Sequence, residues 1–177
     1  VHANWHSGKI YAITADDAGV VWLLNDAGEM ARVRDGKILS PVSGKVPKVL
    51  SLARSLDGTV WIDREGVVSS LKAGQLTVEV TTNTYVQGIC AARDGGFWLA
   101  CNSSFRKWKE GQWTTDFSTA PWGWNTVPNL IETSSGALAG GNSGAGLWLF
   151  FPGQTNNSAQ HFTRTNGLPS DWVISLW

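Results

Sequence analysis

At its centre the chain reads Arg-Asp-Gly-Gly-Phe-Trp over residues 93–98, which places a glycine three residues before a tryptophan. The same spacing occurs four times along the 177 residues, with the glycines 39, 37 and 41 residues apart. The four pairs are Gly19–Trp22, Gly58–Trp61, Gly95–Trp98 and Gly136–Ala139. Internal repetition at this period is typical of proteins built from stacked copies of one small structural unit.

Further landmarks keep the same register as the glycines. The positions nine residues before them are Ile10, Val49, Val86 and Val127, and those six before are Ile13, Leu52, Ile89 and Leu130. A second glycine turn recurs downstream as Asp35-Gly36, Ala73-Gly74, Glu110-Gly111 and Pro152-Gly153. The fourth copy departs most from the pattern, because alanine replaces its tryptophan and a glycine-rich stretch at 140–146 lengthens its middle.

Each copy contains four short apolar runs separated by turn signals. In the third copy they cover about Tyr85–Ala91, Phe97–Cys101, Phe105–Lys109 and Trp113–Phe117. No segment has an apolar stripe with a 3.6-residue period, so no helix is predicted. Four antiparallel strands per unit of this length are typical of a β-propeller blade. A β-sandwich or a solenoid of short strands is the alternative, but neither explains turns that repeat at a fixed period.

The repeat predicts an all-β propeller with four four-stranded antiparallel blades and the first strand of a fifth. The expected blades cover about 8–44, 45–83, 84–124 and 125–170, and the extra strand covers 171–177. We base the extra strand on Val173 and Leu176, which reproduce the apolar pair that opens each unit. The expected partners are the remaining blades of a larger propeller or a second copy of the chain, with a small four-bladed ring as the third outcome.

Composition narrows the function classes. Fourteen basic and fourteen acidic residues cancel, which argues against a nucleic-acid surface, because that needs a clustered positive field. No apolar run approaches the ~20 residues of a membrane span. Cys90 and Cys101 lie on the two strands of one predicted hairpin. A two-residue Asp94-Gly95 turn would set Cys90 opposite Leu99, and whether the cysteines form a disulfide or stay as buried thiols depends on that register.

The stretch Asn166-Gly167-Leu168-Pro169-Ser170, followed by Val173 and Leu176, resembles the two-component regulator propeller repeat, as do the apolar-tryptophan pairs. Those pairs are Val21-Trp22, Val60-Trp61 and Phe97-Trp98, although the Gly-Thr that follows them in the family is missing here. The resemblance implies the ligand-sensing part of a bacterial regulator, located in the periplasm or outside the cell. It also implies a non-enzymatic module that binds a ligand or a protein partner.

A binding site is expected where second strands lead into third strands and where one blade leads into the next, because these loops emerge on the same face of a propeller. The candidate ligand-binding residues are Asp63, Arg64, Tyr85, Asn102, Trp124, Asn125, Asn142 and Trp172. Aromatic rings and amides together suit a small molecule or an oligosaccharide. The alternative is that the polar residues only close turns and that the tryptophans pack between blades.

Recognisable catalytic and metal-binding patterns are absent from the sequence. His2, His6 and His161 form no cluster with the cysteines, so we expect no metal and no cofactor. The run at 140–144 is neither a nucleophile elbow nor a phosphate loop. Two alternatives to a binding module stay open: a carbohydrate-cleaving propeller that uses Asp63 or Glu65 with a second acid, and a purely structural assembly propeller.

Overall fold

The structure is a computed structural model, which describes residues 9–16, 18–25, 29–41, 49–72, 75–101, 104–117, 129–142, 144–153 and 159–176. In these residues it contains sixteen β-strands and one short 3-10 turn at Arg164–Asn166. The strands form four separate four-stranded antiparallel sheets in sequence order, as the repeat predicts. The chain divides into two compact units, residues 1–83 and residues 84–177.

The first unit contains two of the sheets, which we call blades 1 and 2. Blade 1 comprises β1 (Ile10–Ala15), β2 (Val21–Asn25), β3 (Met30–Arg34) and β4 (Lys37–Pro41). Blade 2 comprises β5 (Val49–Arg54), β6 (Val60–Arg64), β7 (Val67–Lys72) and β8 (Gln75–Thr81).

The second unit contains blades 3 and 4. Blade 3 comprises β9 (Val86–Ala91), β10 (Phe97–Cys101), β11 (Ser104–Lys109) and β12 (Gln112–Phe117). Blade 4 comprises β13 (Asn129–Glu132), β14 (Leu138–Asn142), β15 (Gly146–Phe150) and β16 (Ala159–Phe162).

The recurring glycines close the same turn between the first and second strands of every blade. In blade 2, Ser55 N donates to Thr59 O at 2.9 Å and Gly58 N donates to Ser55 O at 3.0 Å. The other three blades repeat both bonds at the equivalent positions. All four glycines have positive φ, between 73° for Gly19 and 103° for Gly95, which an L side chain adopts only with strain. The glycines therefore recur along the sequence because every blade needs a residue with positive φ at this point of its turn.

The recurring tryptophans occupy equivalent buried positions on the second strands. Trp22, Trp61 and Trp98 are 4%, 9% and 3% exposed. In two of the blades, the first residue of the glycine turn accepts the indole N–H. Trp22 Nε1 donates to Asp16 Oδ2 at 3.1 Å, and Trp61 Nε1 donates to Ser55 Oγ at 2.6 Å. In blades 1 and 2 the glycine turn is thus tied to its sheet by the tryptophan three residues beyond the glycine.

Each blade has two faces. We call the face that carries Trp22, Trp61, Trp98 or the equivalent Ala139 the tryptophan face, and the other one the opposite face. In the first unit, the tryptophan face of blade 1 packs against the opposite face of blade 2. The buried residues of this contact are Val20, Trp22, Leu24, Met30, Val60, Ile62 and Leu71. Burying each large apolar side chain contributes about 1.5–3 kcal/mol, so this contact accounts for much of the unit's stability.

The second unit repeats the arrangement. The tryptophan face of blade 3 packs against the opposite face of blade 4, with Phe105 and Phe150 stacked at a centroid distance of 5.4 Å. The other buried residues of this contact are Cys90, Ala92, Trp98, Ala100, Leu130 and Leu138. Arg93 N also donates to Glu132 Oε2 at 2.5 Å, which ties the turn of one blade to the first strand of the next.

The two cysteines are buried and form no disulfide. The β9–β10 connection is wider than the predicted two-residue turn, since Ala91 pairs with Phe97. Cys90 therefore lies opposite Trp98 instead of the expected Leu99, and Cys101 lies opposite Val86. Because side chains alternate along a strand, the two thiols point to opposite faces of the sheet and cannot be joined. Burial also raises the pKa of the Cys90 thiol.

The segment at 171–176 forms one isolated bridge at Trp172 and no extended strand. Val173 N nevertheless donates to Asn142 O at 3.0 Å, so the segment is attached to the end of β14. A first strand pairs with the second strand of its own blade, and no such partner for residues 171–176 occurs among the strands of the described residues. Residues 171–176 therefore follow blade 4 where the first strand of the next repeat is expected, but the predicted strand at 171–177 is not formed in the described residues.

Candidate functional site

Each blade has two ends. We call the end with the glycine turn between the first and second strands the turn end. We call the other the loop end, where the second strand passes into the third and where the chain enters the blade. Of the predicted site residues, Asp63, Arg64, Tyr85, Asn142 and Trp172 belong to the described loop ends. Asn102, Trp124 and Asn125 lie outside the described residues.

The polar candidates at the loop end close their own loops. Asn142 Oδ1 accepts from Ala145 N at 2.7 Å, and Asp63 Oδ1 accepts from Gly66 N at 3.1 Å. Asn25 in blade 1 behaves alike, since its Oδ1 accepts from Glu29 N at 2.8 Å. All three residues are buried. Their oxygen atoms thus satisfy backbone N–H groups that the strand ladders leave without partners.

Asp63 has the most unusual surroundings of these residues. It occupies the position of Leu24 in blade 1, two residues beyond the tryptophan and on the same face, and it is fully buried. Its Oδ2 has no hydrogen-bond partner in the described part of the chain. Burial is the main reason that the pKa of Asp63 rises to about 6; the Gly66 N–H lowers it in part, and the charge of Glu65 adds to the rise.

Arg64, the next residue, takes part in its own sheet. Its Nη2 donates to Ser69 Oγ at 3.0 Å, across the turn that joins β6 and β7. The side chain is half-buried. Arg64 and Asp63 alternate along β6, so they point to opposite faces of blade 2 and do not form one binding surface.

Two aromatic candidates behave differently, because both are exposed. Tyr85 is 53% exposed and Trp172 is 66% exposed. Each directly precedes the valine that opens a unit, Val86 in one case and Val173 in the other. Both lie in the second unit, and equivalent positions in the repeat place both at loop ends. Single apolar side chains are common on protein surfaces, but an exposed aromatic ring is available for stacking on a ligand.

Trp172 is positioned by a network of backbone hydrogen bonds. The carbonyl oxygen of Asp171 accepts from Gly144 N at 3.0 Å and from Gly146 N at 2.9 Å. Asp171 Oδ1 accepts from Arg164 N at 2.6 Å, which anchors the preceding loop. On the other side of Trp172, the Val173 side chain rests on Gly141, where an added Cβ would lie 2.3 Å from Val173 Cγ1. Asn142 and Trp172 are therefore neighbours in blade 4.

The turn end of the first unit contains a feature that the sequence did not indicate. A cavity of about 200 Å³ lies there, with Trp22, Val60 and Leu71 among its lining residues. Charged residues also line it, and Asp57 Oδ2 lies 3.1 Å from Lys72 Nζ. The recurring Asp and Gly positions were the sequence feature nearest to this cavity, but in a sequence such residues indicate only turns.

The two carboxylates of this cavity are ionised at neutral pH. Burial would raise the pKa of Asp16, but N–H donors from Val20, Trp22 and Ala18 outweigh it and lower the pKa. The pKa of Asp57 is lowered in the same way, chiefly by the backbone and hydroxyl groups of Thr59. Their hydrogen bonds hold the turns in shape, so we assign both residues to the scaffold.

No helix among the described residues is long and apolar enough to cross a membrane. Within the same residues, no group of three or more His, Cys, Asp or Glu side chains is placed to hold a metal ion.

Comparison with solved structures gives the fold. The chain is similar to the extracellular domain of the putative hybrid two-component system BT3049 from B. thetaiotaomicron, with a TM-score of 0.73 and 16% identity. That likeness covers 97% of this chain and 25% of the other. The WD40 beta propeller domain of Doa1 gives a TM-score of 0.69 at 13% identity, over 96% of this chain and 57% of the other.

An enzyme is among the similar structures as well. Virginiamycin B lyase from Staphylococcus aureus gives a TM-score of 0.68 at 17% identity, over 88% of this chain and 55% of that one. The chain thus spans less than two thirds of each of these three solved chains. No family model matches it, and no curated protein does either.

At these identities the likeness shows the fold alone. The chain has the β-propeller fold. It is built from four-stranded antiparallel blades, and the resemblance to two-component regulator propellers holds at the level of that fold.

Proposed function

We propose that this chain is a non-enzymatic binding segment of a propeller, whose ligand or partner contacts the loop ends of blades 3 and 4. The observation that carries the proposal is the pair of exposed aromatic side chains, Tyr85 and Trp172, at equivalent entry positions of the repeat. The chain holds these residues at the surface by fixing their neighbours, since Val86 is fully buried and Val173 is bonded to Asn142.

The chemistry of these residues indicates the kind of ligand. A tyrosine and a tryptophan offer flat apolar faces with one polar group each, which suits the apolar face of a sugar ring. The buried side chains Asn25, Asp63 and Asn142 at the loop ends each use one oxygen to bind a backbone N–H group of their own loop. We therefore assign them to the shape of the loops and not to ligand binding. An oligosaccharide that stacks on the aromatic rings is therefore the ligand that we favour over a small charged molecule.

The similarity in fold to an extracellular sensor domain also supports a ligand-binding function. A module of this type in a bacterial protein would act in the periplasm or outside the cell. Binding would favour one packing of the propeller against its neighbouring domains and so pass a signal by population shift. This part of the proposal rests on fold likeness and on the Gly-Leu-Pro-Ser stretch at 167–170.

The surroundings of Asp63 favour binding over glycoside cleavage. Glycoside hydrolysis needs two carboxyl groups that flank the substrate, about 5–10 Å apart. Asp63 is fully buried and gives one oxygen to Gly66 N, so it does not reach a substrate. Glu65 is exposed, but it lies in a tight turn with a φ of 49°.

The experiment is a titration of the purified chain with a panel of soluble oligosaccharides, followed by calorimetry. We expect binding that weakens about five- to tenfold in Tyr85→Ala and in Trp172→Ala, because lost aromatic packing costs on the order of 1 kcal/mol. Leu56→Ala is the matched control, since Leu56 is 77% exposed but lies in a turn at the other end of its blade.

Three results would contradict the proposal. Equal weakening in the Leu56 variant would show a non-specific apolar effect. Full affinity in both aromatic variants would place the ligand elsewhere. Release of reducing ends from any bound oligosaccharide, lost in Asp63→Asn, would make the chain an enzyme.

A further inference from the structure

His161 on β16 reaches the turn that leads from β14 into β15. Its Nε2 atom lies 2.6 Å from the carbonyl oxygen of Ala145. A carbonyl oxygen can only accept a hydrogen bond, so Nε2 carries the proton and His161 is the donor. The imidazole ring also stacks on the indole of Trp148, its neighbour across the strands, with ring centroids 3.7 Å apart and planes 6° from parallel. This stacking holds the ring in the plane from which Nε2 meets the turn.

The other side of the same turn is bonded to the segment that contains Trp172. The carbonyl oxygen of Asp171 accepts from Gly144 N at 3.0 Å and from Gly146 N at 2.9 Å. Asp171 directly precedes Trp172, so the place of the turn determines where the exposed indole leaves the backbone. A continuous series of hydrogen bonds therefore joins the imidazole of His161 to the backbone beside Trp172.

The pairing of a histidine with a tryptophan is specific to blade 4. Cross-strand pairs at the equivalent positions of the third and fourth strands contain neither residue type in the described parts of the other blades. They are Ala31 with Pro41, Ser69 with Val78, and Arg106 with Asp116. A blade of this chain thus forms without such a pair. The blade that has it is the one whose loop end carries Trp172.

We propose that His161 is a positioning residue for ligand binding at Trp172. Its Nε2–H holds the turn at 144–146 in place, and the turn holds the backbone at Asp171. His161 contacts no ligand itself and acts only through this backbone. The role rests on the proposed function, because it is the ligand that requires one fixed position of the indole.

Two substitutions separate the hydrogen bond from the ring stacking. His161→Phe keeps a flat ring for Trp148 but has no N–H group, whereas His161→Gln keeps an N–H donor but has no ring. Amide hydrogen exchange at Gly144 and Gly146, measured by nuclear magnetic resonance, reports how firmly the turn is held. We expect exchange about fivefold faster in His161→Phe, since this is the usual effect of one lost hydrogen bond. In His161→Gln it should stay within about twofold of the wild type.

Calorimetry with the bound oligosaccharide is the second measurement. His161→Phe should bind about fivefold more weakly, and His161→Gln should bind almost like the wild type. Gln160→Ala is the matched control, because Gln160 is the exposed neighbour on the same strand and its side chain lies on the other face. In a Trp172→Ala background, His161→Phe should cause no further loss, because the residue that it positions is already gone.

Several results would overturn the proposal. Faster exchange in His161→Gln alone, or equally in both variants, would make ring stacking the cause. Additive losses of affinity in the double variant would show that His161 does not act through Trp172. The ¹⁵N spectrum of the wild-type imidazole needs neither a variant nor a ligand, and an Nε2 without a proton would exclude the bond to Ala145.

Failure of the proposed function has a different outcome. If no oligosaccharide binds to the wild type, while exchange at Gly144 and Gly146 still follows the expected order of the two variants, the proposed function is wrong. In that case the hydrogen bond from His161 still holds the turn beside Trp172, and the ligand is of another class.

Discussion

The two ends of the blades are built on the same strands but are used differently. At the turn end, four equivalent turns close on themselves with the same pair of backbone hydrogen bonds. At the loop end, Asp63 and Asn142 bond their own loops while Tyr85 and Trp172 remain exposed. The turn end is thus the repeated part of the scaffold. We propose that the variable loop end binds the ligand, because binding residues often lie on loops that a rigid scaffold positions.

Two glycines of blade 4 provide the strongest contrast between the ends. Gly146 at the loop end and Gly136 at the turn end have φ values of 79° and 81°. A Cβ at Gly146 would lie 2.1 Å from the carbonyl oxygen of Phe162, whereas a Cβ at Gly136 would meet nothing within 4 Å. Gly136→Ala should cost about 1–2 kcal/mol, which is the strain of the left-handed conformation alone.

Gly146→Ala carries the same strain together with a backbone collision, so we expect a loss of about 4 kcal/mol or more. Urea denaturation of both variants measures the difference. Because Gly146 N also holds the carbonyl oxygen of Asp171, this variant should weaken oligosaccharide binding as well, and Gly136→Ala should not. Equal losses of stability would show that the close approach at Gly146 is absent.

The buried carboxyl group of Asp63 makes the loop end of blade 2 sensitive to pH. Its pKa is about 6 in the folded chain, against 3.8 for an ordinary aspartate side chain. A raised carboxyl pKa means that the folded state holds the proton more tightly, so this contribution to stability is complete below pH ~4 and is lost as pH rises through 6. The loss should be about 2–3 kcal/mol by pH 8.

Asp63→Asn removes the titrating group, so the free energy of unfolding should change less between pH 4 and pH 8 in this variant than in the wild type. Urea denaturation at several pH values measures this, with Asp57→Asn as the control. Asp57 lies at the turn end with a lowered pKa, so its removal should not abolish the loss of stability above pH 4. A wild-type profile that is flat across this range would contradict the burial of Asp63.

Side-chain hydrogen bonds at the turn end should have smaller effects. Asp16 accepts from Ala18 N, Val20 N and Trp22 Nε1, whereas Ser55 accepts one indole bond from Trp61. We expect Asp16→Ala to cost about 1–2 kcal/mol and Ser55→Ala about 1 kcal/mol. Thermal unfolding of the two variants checks the order. A reversed order would mean that the three bonds to Asp16 do not outweigh the single bond to Ser55.

The sequence was sufficient for the fold because glycine turns and tryptophans mark positions that backbone geometry requires. It predicted four four-stranded antiparallel sheets, and that prediction is confirmed. The sequence was less informative about features that change when the pairing of two strands shifts by one residue. The number of residues in the Ala92–Gly96 turn determines on which faces of the sheet Cys90 and Cys101 lie. No residue type in the turn predicts that number.

The site was harder to predict than the fold, because strand ends look like loops in a sequence. Asp63 stands two residues after Trp61, and in a strand this spacing places it on the buried tryptophan face. Treated as a loop residue, it is expected in solvent. Tyr85 precedes the strand β9, and Trp172 holds the equivalent position before Val173. Their exposure depends on how Val86 and Val173 are packed and bonded.

The most direct test of the central claim is a map of backbone amide shifts by nuclear magnetic resonance during titration with a bound oligosaccharide. The account predicts shifts at the loop ends of the second unit, in residues 84–86, 142–146 and 170–173. Shifts concentrated instead at the turn end of the first unit, around Asp16, Trp22, Asp57 and Lys72, would show that the cavity there is the binding site and would contradict the account.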